Sequence, residues 1–537
     1  MKHQSIAIAA VMALAAAAQE PARDPAAPAS EPPARVARLN WFNGNVSFQP
    51  ASADTWAAAT VNYPFTTGDN LYTDVGSRAE IRTGPNALRA NWETSFGFLN
   101  LDDRAVQIRL TGGAVEVRLR RLEDDDSWEI DTPQGAITLL RPGDYRIETD
   151  PVRGATMLTV RSGDAAVSGS GNAFTVHPRQ TAYFQEGFQS DIREANADDD
   201  FDDFVAVRNR IDDAVPPPVH VSDEMVGYED LEGNGTWSDT VDYGWVWQPR
   251  VEAGWVPYRY GHWAWVAPWG WTWIDDASWG FAPFHYGRWA MVSGYWVWVP
   301  GGISGQPVYA PALVVFAAGP GVAWFPLGPR EPYFRRYGAP GRGAGEISYA
   351  NQNIPGAVTA VDRSVFVGSR PVHSAAQPVR PGQYGTIVGL TPEIPPTRES
   401  VTGPSTNRSI PVPSRGAMTR PVVVRSAPPP PAPGALRTAP VLPVSPATPV
   451  RPTFGGGQPG PAIERRVPPQ GLPPVVPGRE MSRPAPAPAP RVMPEARPAP
   501  EFRPPPRQEQ EVRPAPGTGT HPVPRHEEKK KEDKKPV

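Results

Sequence analysis

Cysteine is absent from all 537 residues. That excludes disulfides, a thiol nucleophile, thiolate-bound zinc or iron–sulfur clusters, and a lipid-modified N-terminal cysteine. Lysine is almost as scarce: Lys2 and five residues between Lys529 and Lys535, so arginine carries the positive charge of everything between. Beyond the first twenty residues no segment approaches 18 continuous apolar residues, so no transmembrane segment is expected in the mature chain. No catalytic motif stands out. The 70 prolines are uneven, with 36 of them in the 137 residues from Val401 onward. Such a stretch cannot build a packed core. The foldable part is nearer roughly 330 residues, enough for two ordinary domains.

The two ends carry an address. Lys2, an apolar run from Ile6 to Ala17, and small residues ending at Ala18 have the layout of a secretory signal peptide over 1–18. A retained membrane anchor is the rival reading. Residues 19–36 read as an Ala/Pro-rich linker. From about 366 to 537 the chain is expected to be a disordered, Pro-rich basic tail, with polyproline II stretches such as Pro428–Pro433. From Val401 there are 21 Arg and Lys against 10 Asp and Glu, net +11; the whole chain is −4, so the first 400 residues carry −15. That contrast permits the tail to lie on an anionic surface: an envelope polymer, a lipid headgroup layer or the protein's own acidic region. A solvated spacer is the simpler alternative. Nucleic acid is not expected, because proline dilutes the charge and no aromatics interleave.

Residues 37–188 show short alternating runs, among them Ala79–Ile81, Ala105–Leu110, Ala114–Leu119, Trp128–Asp131, Gly135–Leu140, Tyr145–Glu148 and Met157–Arg161. Val115 to Leu119 has the period of a half-buried strand. Gly112-Gly113, Pro142-Gly143 and Ser162-Gly163 read as turns, and Gly143 as one needing positive φ. An all-β domain follows. Its motifs Gly76-Ser-Arg-Ala-Glu-Ile81, Ile130-Asp-Thr-Pro-Gln-Gly135, Arg141-Pro-Gly-Asp-Tyr-Arg146 and Val160-Arg-Ser-Gly-Asp-Ala165 resemble the bacterial FecR-type domain. The resemblance implies an extracytoplasmic β-domain from proteins that relay a signal from an outer-membrane receptor to a sigma factor. Those proteins carry a cytoplasmic segment and membrane helix where this chain has its apparent signal. Asp69 and Asp144, each beside a turn glycine, are expected to bind turn amides.

Residues 189–225 read as an acidic joint with one or two short helices between Phe188 and Ala214. Phe201, Phe204, Val205 and Ile211 form the apolar stripe, from which Arg208 would extend its head to solvent. A calcium loop is disfavoured, since the alternating oxygen ligands and central glycine are missing.

Residues 226–365 hold most of the information. Gly254 to Trp265 recurs as Gly280 to Met291, with aromatics matched to aromatics. Trp-x-Trp pairs occur at 245/247, 263/265, 271/273 and 296/298, and in a strand each pair shares one face. A meander of short antiparallel hairpins is expected. The rings serve either as a Trp-built core or, in part, as an exposed binding face comprising Trp255, Tyr258, Tyr260, Trp263, Trp265, Trp269, Trp271, Trp273, Tyr286, Trp289, Trp296 and Trp298 beside Arg259, His262, His285 and Arg288. Such a face would stack on sugars or proteins. His262 aligns with Arg288 and His285 with Arg259, which argues against metal ligation. Asp242, Asp275 and Asp276 could serve a hydrolase only as paired carboxylates across a groove, and they sit in turn-like sequence. Arg330 and Glu331 are placed to pair across a turn. With Tyr228 to Leu231, Gly235 to Trp237 and Val322 to Tyr333, this region resembles a bacterial, exported DUF6600-like family of Trp/Tyr-rich proteins of unknown function, in which a FecR-like domain can precede it.

The expected protein is therefore all-β: two short-strand antiparallel domains joined by an acidic helical segment and followed by the tail. Catalytic, cofactor and metal residues are expected to be none. The expected role is a non-enzymatic envelope scaffold or binding protein contacting an envelope protein or polysaccharide. A periplasmic component of a FecR-like relay and a purely structural aromatic-core domain are the alternatives.

Overall fold

The structure is a computed structural model that describes residues 32–449 apart from 186, 188–189, 196–197, 304–305, 334–347, 380–382, 385, 390–391, 405–408, 432–434, 436–438 and 445–447. The expected signal peptide, most of the linker and the tail from 450 lie outside the described residues.

The first region is a sandwich of two long sheets that share one strand. The first sheet runs, in spatial order, Pro64–Phe65, Ala37–Asn43, Arg78–Thr83, Asn86–Ala90, Ala105–Leu119, Gly143–Asp150, Ala155–Val160, Gln180–Gln185 and Ser190–Glu194. The second runs Ala57–Ala58, Val46–Gln49, Asn70–Thr73, Ser95–Leu101, Ala105–Leu119, Ser127–Asp131, Ala136–Leu139, Ala165–Gly169 and Asn172–Val176. Pairing is antiparallel throughout these two series, except that Ser127–Asp131 lies parallel to Ala105–Leu119. The chain thus winds between two stacked layers a strand or two at a time. Gly112-Gly113 is not a turn, as its composition suggested. It is the point where one 15-residue strand passes from one sheet to the other. Gly113 has φ +82, and a Cβ there would run into Thr94. Gly143 does not have positive φ; it is required because a Cβ would overlap the Ser162 carbonyl.

Period-2 patterning separates the faces. Inside, Leu39, Ile81, Leu88, Val117, Tyr145 and Val160 are in register across six strands, all buried. On the other face of the same strands stand Glu80, Arg89, Glu116 and Arg146, a row of alternating charge. A 15-residue helix, α1 (Asp200–Ala214), covers this row. Its N-terminus has a capping box between Asp199 and Asp202. Arg146 binds both Asp199 and Asp202 at 2.7–2.8 Å, and Arg89 reaches Asp212 at 2.7 Å. Arg208 does not extend to solvent: it donates to Glu80 at 3.0 and 2.8 Å, while Ile211 is exposed. The correction follows from charge. Buried Glu80 needs cations, and the planar guanidinium satisfies both of its oxygens. Ser190–Glu194, expected to be helical, is instead the last strand of the first sheet.

Glu116 is the poorly served member of the row. It is buried, and its nearest cation, Arg89, lies 3.7 Å away, beyond hydrogen-bond range. Burial pushes its carboxyl up to about 7, with Arg89 and Arg161 pulling down and Asp144 and Asp202 pushing further up. An acid whose folded pKa is raised favours the fold fully below its unfolded value, near 4.5, and that contribution is lost as pH rises through 7. Glu116→Gln is therefore expected to exceed the parent in stability by up to about 3 kcal/mol at pH 8 and to match it within about 1 kcal/mol at pH 4. Urea unfolding at the two pH values measures this; an equal difference at both would refute the assignment.

The second region consists of four hairpins. Gly235–Thr240, Gly244–Pro249, Tyr295–Val299 and Arg288–Val292 form a four-stranded sheet in that order. Gly261–Val266 and Gly270–Asp275 form a separate hairpin. Thr359–Val361, Val322–Pro326, Val314–Ala318 and Thr386–Gly389 form a second four-stranded sheet. The two copies of the 26-residue repeat open equivalent hairpins, but residues 254–260 are irregular where Ala282–His285 makes a helical turn.

Order extends past both expected boundaries. Pro33 and Ala34 accept hydrogen bonds from the Trp269 indole and from Tyr309, and Val36 is fully buried, so the end of the linker belongs to the fold. Within the expected tail, Ile394 accepts the Trp271 indole N–H, Ser400 is fully buried, and residues 411–426 lie along the outer face of the second sheet. Proline-rich composition rules out an autonomous core there but not docking as a strap, with a helical turn at Arg415–Thr419, on a finished sheet.

Candidate functional site

The twelve rings proposed as a binding face are mostly core. Tyr258, Trp263, Trp269, Trp271, Trp273, Tyr286, Trp289, Trp296 and Trp298 are buried; Trp255 and Trp265 are half-buried and packed on the core; Tyr260 alone is exposed, stacked on His373. The expectation of an exposed aromatic face is corrected accordingly. Trp237, Trp247, Trp298 and Trp289 are in register, one per strand, across the first four-stranded sheet. Trp263 faces Trp273, and Trp265 faces Trp271, across the separate hairpin. The contacts are tilted or edge-to-face, with centroids 5.5 Å apart for Trp263–Trp273 and 5.6 Å for Trp265–Trp271. This is the arrangement aromatic quadrupoles prefer.

The indole N–H groups point to the same conclusion. Trp289 donates to Pro283 O, Trp298 to Tyr286 O and Trp324 to Tyr258 O, at 2.8–2.9 Å. A ring whose polar edge is bonded to the main chain and whose faces touch other rings has nothing left for a ligand. Tyr258 is equally committed, donating to Phe284 O and accepting from Leu313 N, and burial raises its phenol.

The polar residues set among the rings are structural too. His285 is fully buried with Nδ1 on Ala310 O at 2.8 Å, and desolvation lowers it to about 3, so it stays neutral. Burial also lowers His262. Arg259 donates to Gly356 O and Thr359, and Arg288 to Glu331 O. Asp275 takes the Trp273 indole N–H and the Ala277 amide at 3.0 Å each, and burial raises its carboxyl well above the usual range. Arg330 and Glu331 are not paired with each other. Glu331 accepts the Gly328 and Ala350 amides at 2.6 Å, and Arg330 reaches the Asp242 carbonyl. With Tyr243 and Arg288 they line an open depression of about 510 Å³. No group of His, Asp and Glu suited to a metal ion occurs among the described residues. In the first region Asp69 binds the Ala51 and Thr66 amides as expected, whereas Asp144 accepts the Ser162 hydroxyl.

Sequence reasoning missed the junction between the two regions. Arg38 is fully buried there. Its Nε donates to Asn62 at 2.9 Å, one Nη to Asp230 and the other to Ser278 O at 2.6 Å, and the guanidinium lies over Phe281. Asn62 in turn donates to the Asp275 and Ala277 carbonyls. One continuous apolar core spans both regions. Ala37, Arg38 and Leu39 are all buried, so this strand is covered on both faces and shows no alternation that could have flagged Arg38.

Residues 228–331 match a family of unknown function, DUF6600. Nearly all the rings described above fall inside that DUF6600 segment, which ends at Glu331. No curated protein matches the chain. Two crystal structures, at 2.50 and 1.65 Å, of a protein described as an anti-sigma factor from Parabacteroides distasonis ATCC 8503 are similar at 11% identity, with a TM-score of 0.22. The similarity covers 24% of this chain and 60% of that one, under two thirds of its length. A likeness of that degree says nothing about function. Among the described residues no helix is long and apolar enough to cross a membrane.

Proposed function

We propose that this chain is a non-catalytic scaffold of the bacterial cell envelope, in which a FecR-like sandwich and the DUF6600 segment act as one rigid body toward a protein partner. The observation that carries this is the inward placement of the rings, with the Trp289, Trp298 and Trp324 N–H groups bonded to the main chain, together with the Arg38 junction that joins the two regions. An exported setting rests on the signal-like residues 1–18. The FecR-like reading rests on the motifs around Ile130–Gly135 and Arg141–Arg146, whose residues serve turns and core: Thr132 Oγ1 bonds Gly135 O, and Tyr145 Oη bonds Arg141 O. A protein contact is favoured over a polysaccharide because the flat rings are covered.

Cell fractionation of the tagged full chain tests the setting. The chain is expected in the periplasmic or membrane-associated fraction, beginning near Gln19. Recovery in the cytoplasm with Met1 intact would overturn the proposal. Acrylamide is expected to quench little beyond the exposed Trp92 and Trp245, and envelope glycan is expected to leave the quenching unchanged.

A further inference from the structure

The strap's contacts combine main-chain bonds, as a bound peptide makes them, with bonds from the Arg420, Arg425 and Ser426 side chains. The Arg425 and Ser426 amides both donate to Glu129 Oε1, at 2.8 and 3.1 Å, and the Ser426 hydroxyl donates to Oε2 at 2.7 Å. Gln107 Nε2 donates to Ser426 O at 2.8 Å, and the Val423 amide donates to Thr132 O at 2.9 Å. Arg109 donates to Met418 O, Arg420 to Thr111 O and Arg425 to Thr138. Val422 and Val424, alternate residues of a short strand, are buried against Leu99.

The face beneath is polar. Gln107, Glu129 and Thr138 are in register across three strands, with Arg109 and Asp131 in register beside them. Asp131 also accepts from Gln107, at 2.8 Å. Burial, then the neighbouring Glu129, push the Asp131 carboxyl well above the usual range. Lifting the strap would return these groups to water and expose little apolar surface besides Leu99. That differs from α1, which buries Phe201 and Val205 against the other sheet. Val422–Val424 pairs in parallel with Val441–Pro443, and Pro421 before that strand and Pro428–Pro431 after it limit further ladder pairing, so the docked element stays short.

We propose that this outer face, centred on Glu129, Gln107 and Leu99, is a docking surface for extended peptide segments. Residues 422–426 are its resident ligand, and a protein partner that presents alternating β-branched residues followed by a small hydroxyl residue binds by displacing them. Recognition is of an extended segment laid across the sheet's face: its amides bond the Glu129 carboxylate and the Thr132 carbonyl, and alternate side chains give selectivity. The tethered strap competes at a high local concentration, so the intact chain resists binding until a partner outbids it. The docking surface goes beyond the scaffold reading and would stand without it.

The probe is a fluorescent peptide of residues 419–430, followed by anisotropy on the full chain. The parent is expected to bind it at least tenfold more weakly than a full-length Val422→Asp/Val424→Asp variant whose strap is unseated. Adding Glu129→Ala to that variant is expected to remove the gain. Equal affinity for parent and variant, with near-UV circular dichroism unchanged, would overturn the proposal. If the variant misfolds, hydrogen exchange on the parent decides. Excess peptide is expected to accelerate exchange at Val423, Arg425 and Ser426, and no acceleration would refute displacement.

Discussion

Replacing Arg38 with alanine will lower the stability of the whole chain by about 3–5 kcal/mol, the usual consequence of removing one partner of a buried ion pair. The side chain is fully buried, and three acceptors from three separate segments depend on it: Asn62, Asp230 and the Ser278 carbonyl. Its loss leaves those acceptors without their donor and opens a gap over Phe281. Lysine will not rescue it, because a single ammonium cannot present donors in the three directions of the guanidinium fork. Urea unfolding followed separately by Trp fluorescence and by far-UV circular dichroism measures the effect. In the parent the two probes are expected to coincide, since one apolar core spans both regions. In Arg38→Ala they are expected to separate, the ring-rich region melting first. A loss below about 1 kcal/mol with coincident probes would mean that the junction is held by apolar contact alone.

Trp298→Ala will cost a similar amount, about 3–5 kcal/mol, as expected for emptying a buried tryptophan site. Trp298 has no exposed surface, is in register with Trp247 and Trp289, and donates its indole N–H to Tyr286 O. Truncation removes that bond and a member of the ring row together. Trp245, on the neighbouring strand, is 47% exposed and stacks on His220. Trp245→Ala is expected to change stability by no more than about 1 kcal/mol. The contrast separates a ring core from a ring surface. Should Trp298→Ala remain as stable as the parent, the inward row is not what holds the hairpins together.

The strands of the first region were legible because most are covered by core on one side and polar contacts on the other, so alternation survives, as at Val115–Leu119. The hairpins of the second region were legible from the repeat and its turn residues. The side on which the rings end up was not. A Trp-x-Trp pair states that two rings share a face. It does not state what lies against that face, and here the cover comes from Phe316, Trp324 and Phe366, far along the chain. Arg208 failed similarly. Helical spacing put it at the edge of the apolar stripe, but the buried acid that draws it inward, Glu80, is 128 residues away.

By itself, then, the sequence determined an all-β chain with arginine as its working cation, an aromatic-built second region and no thiol chemistry. These follow from composition and from periods of two and 3.6, which are local properties. Only the tertiary structure decided that the rings face inward, that Arg38 joins two sheet systems, and that part of a proline-rich tail lies along a sheet. Burial and charge pairing are set by what other segments bring to a surface, and an extended segment with no core of its own is ordered by the hydrogen-bonding groups of the face it meets.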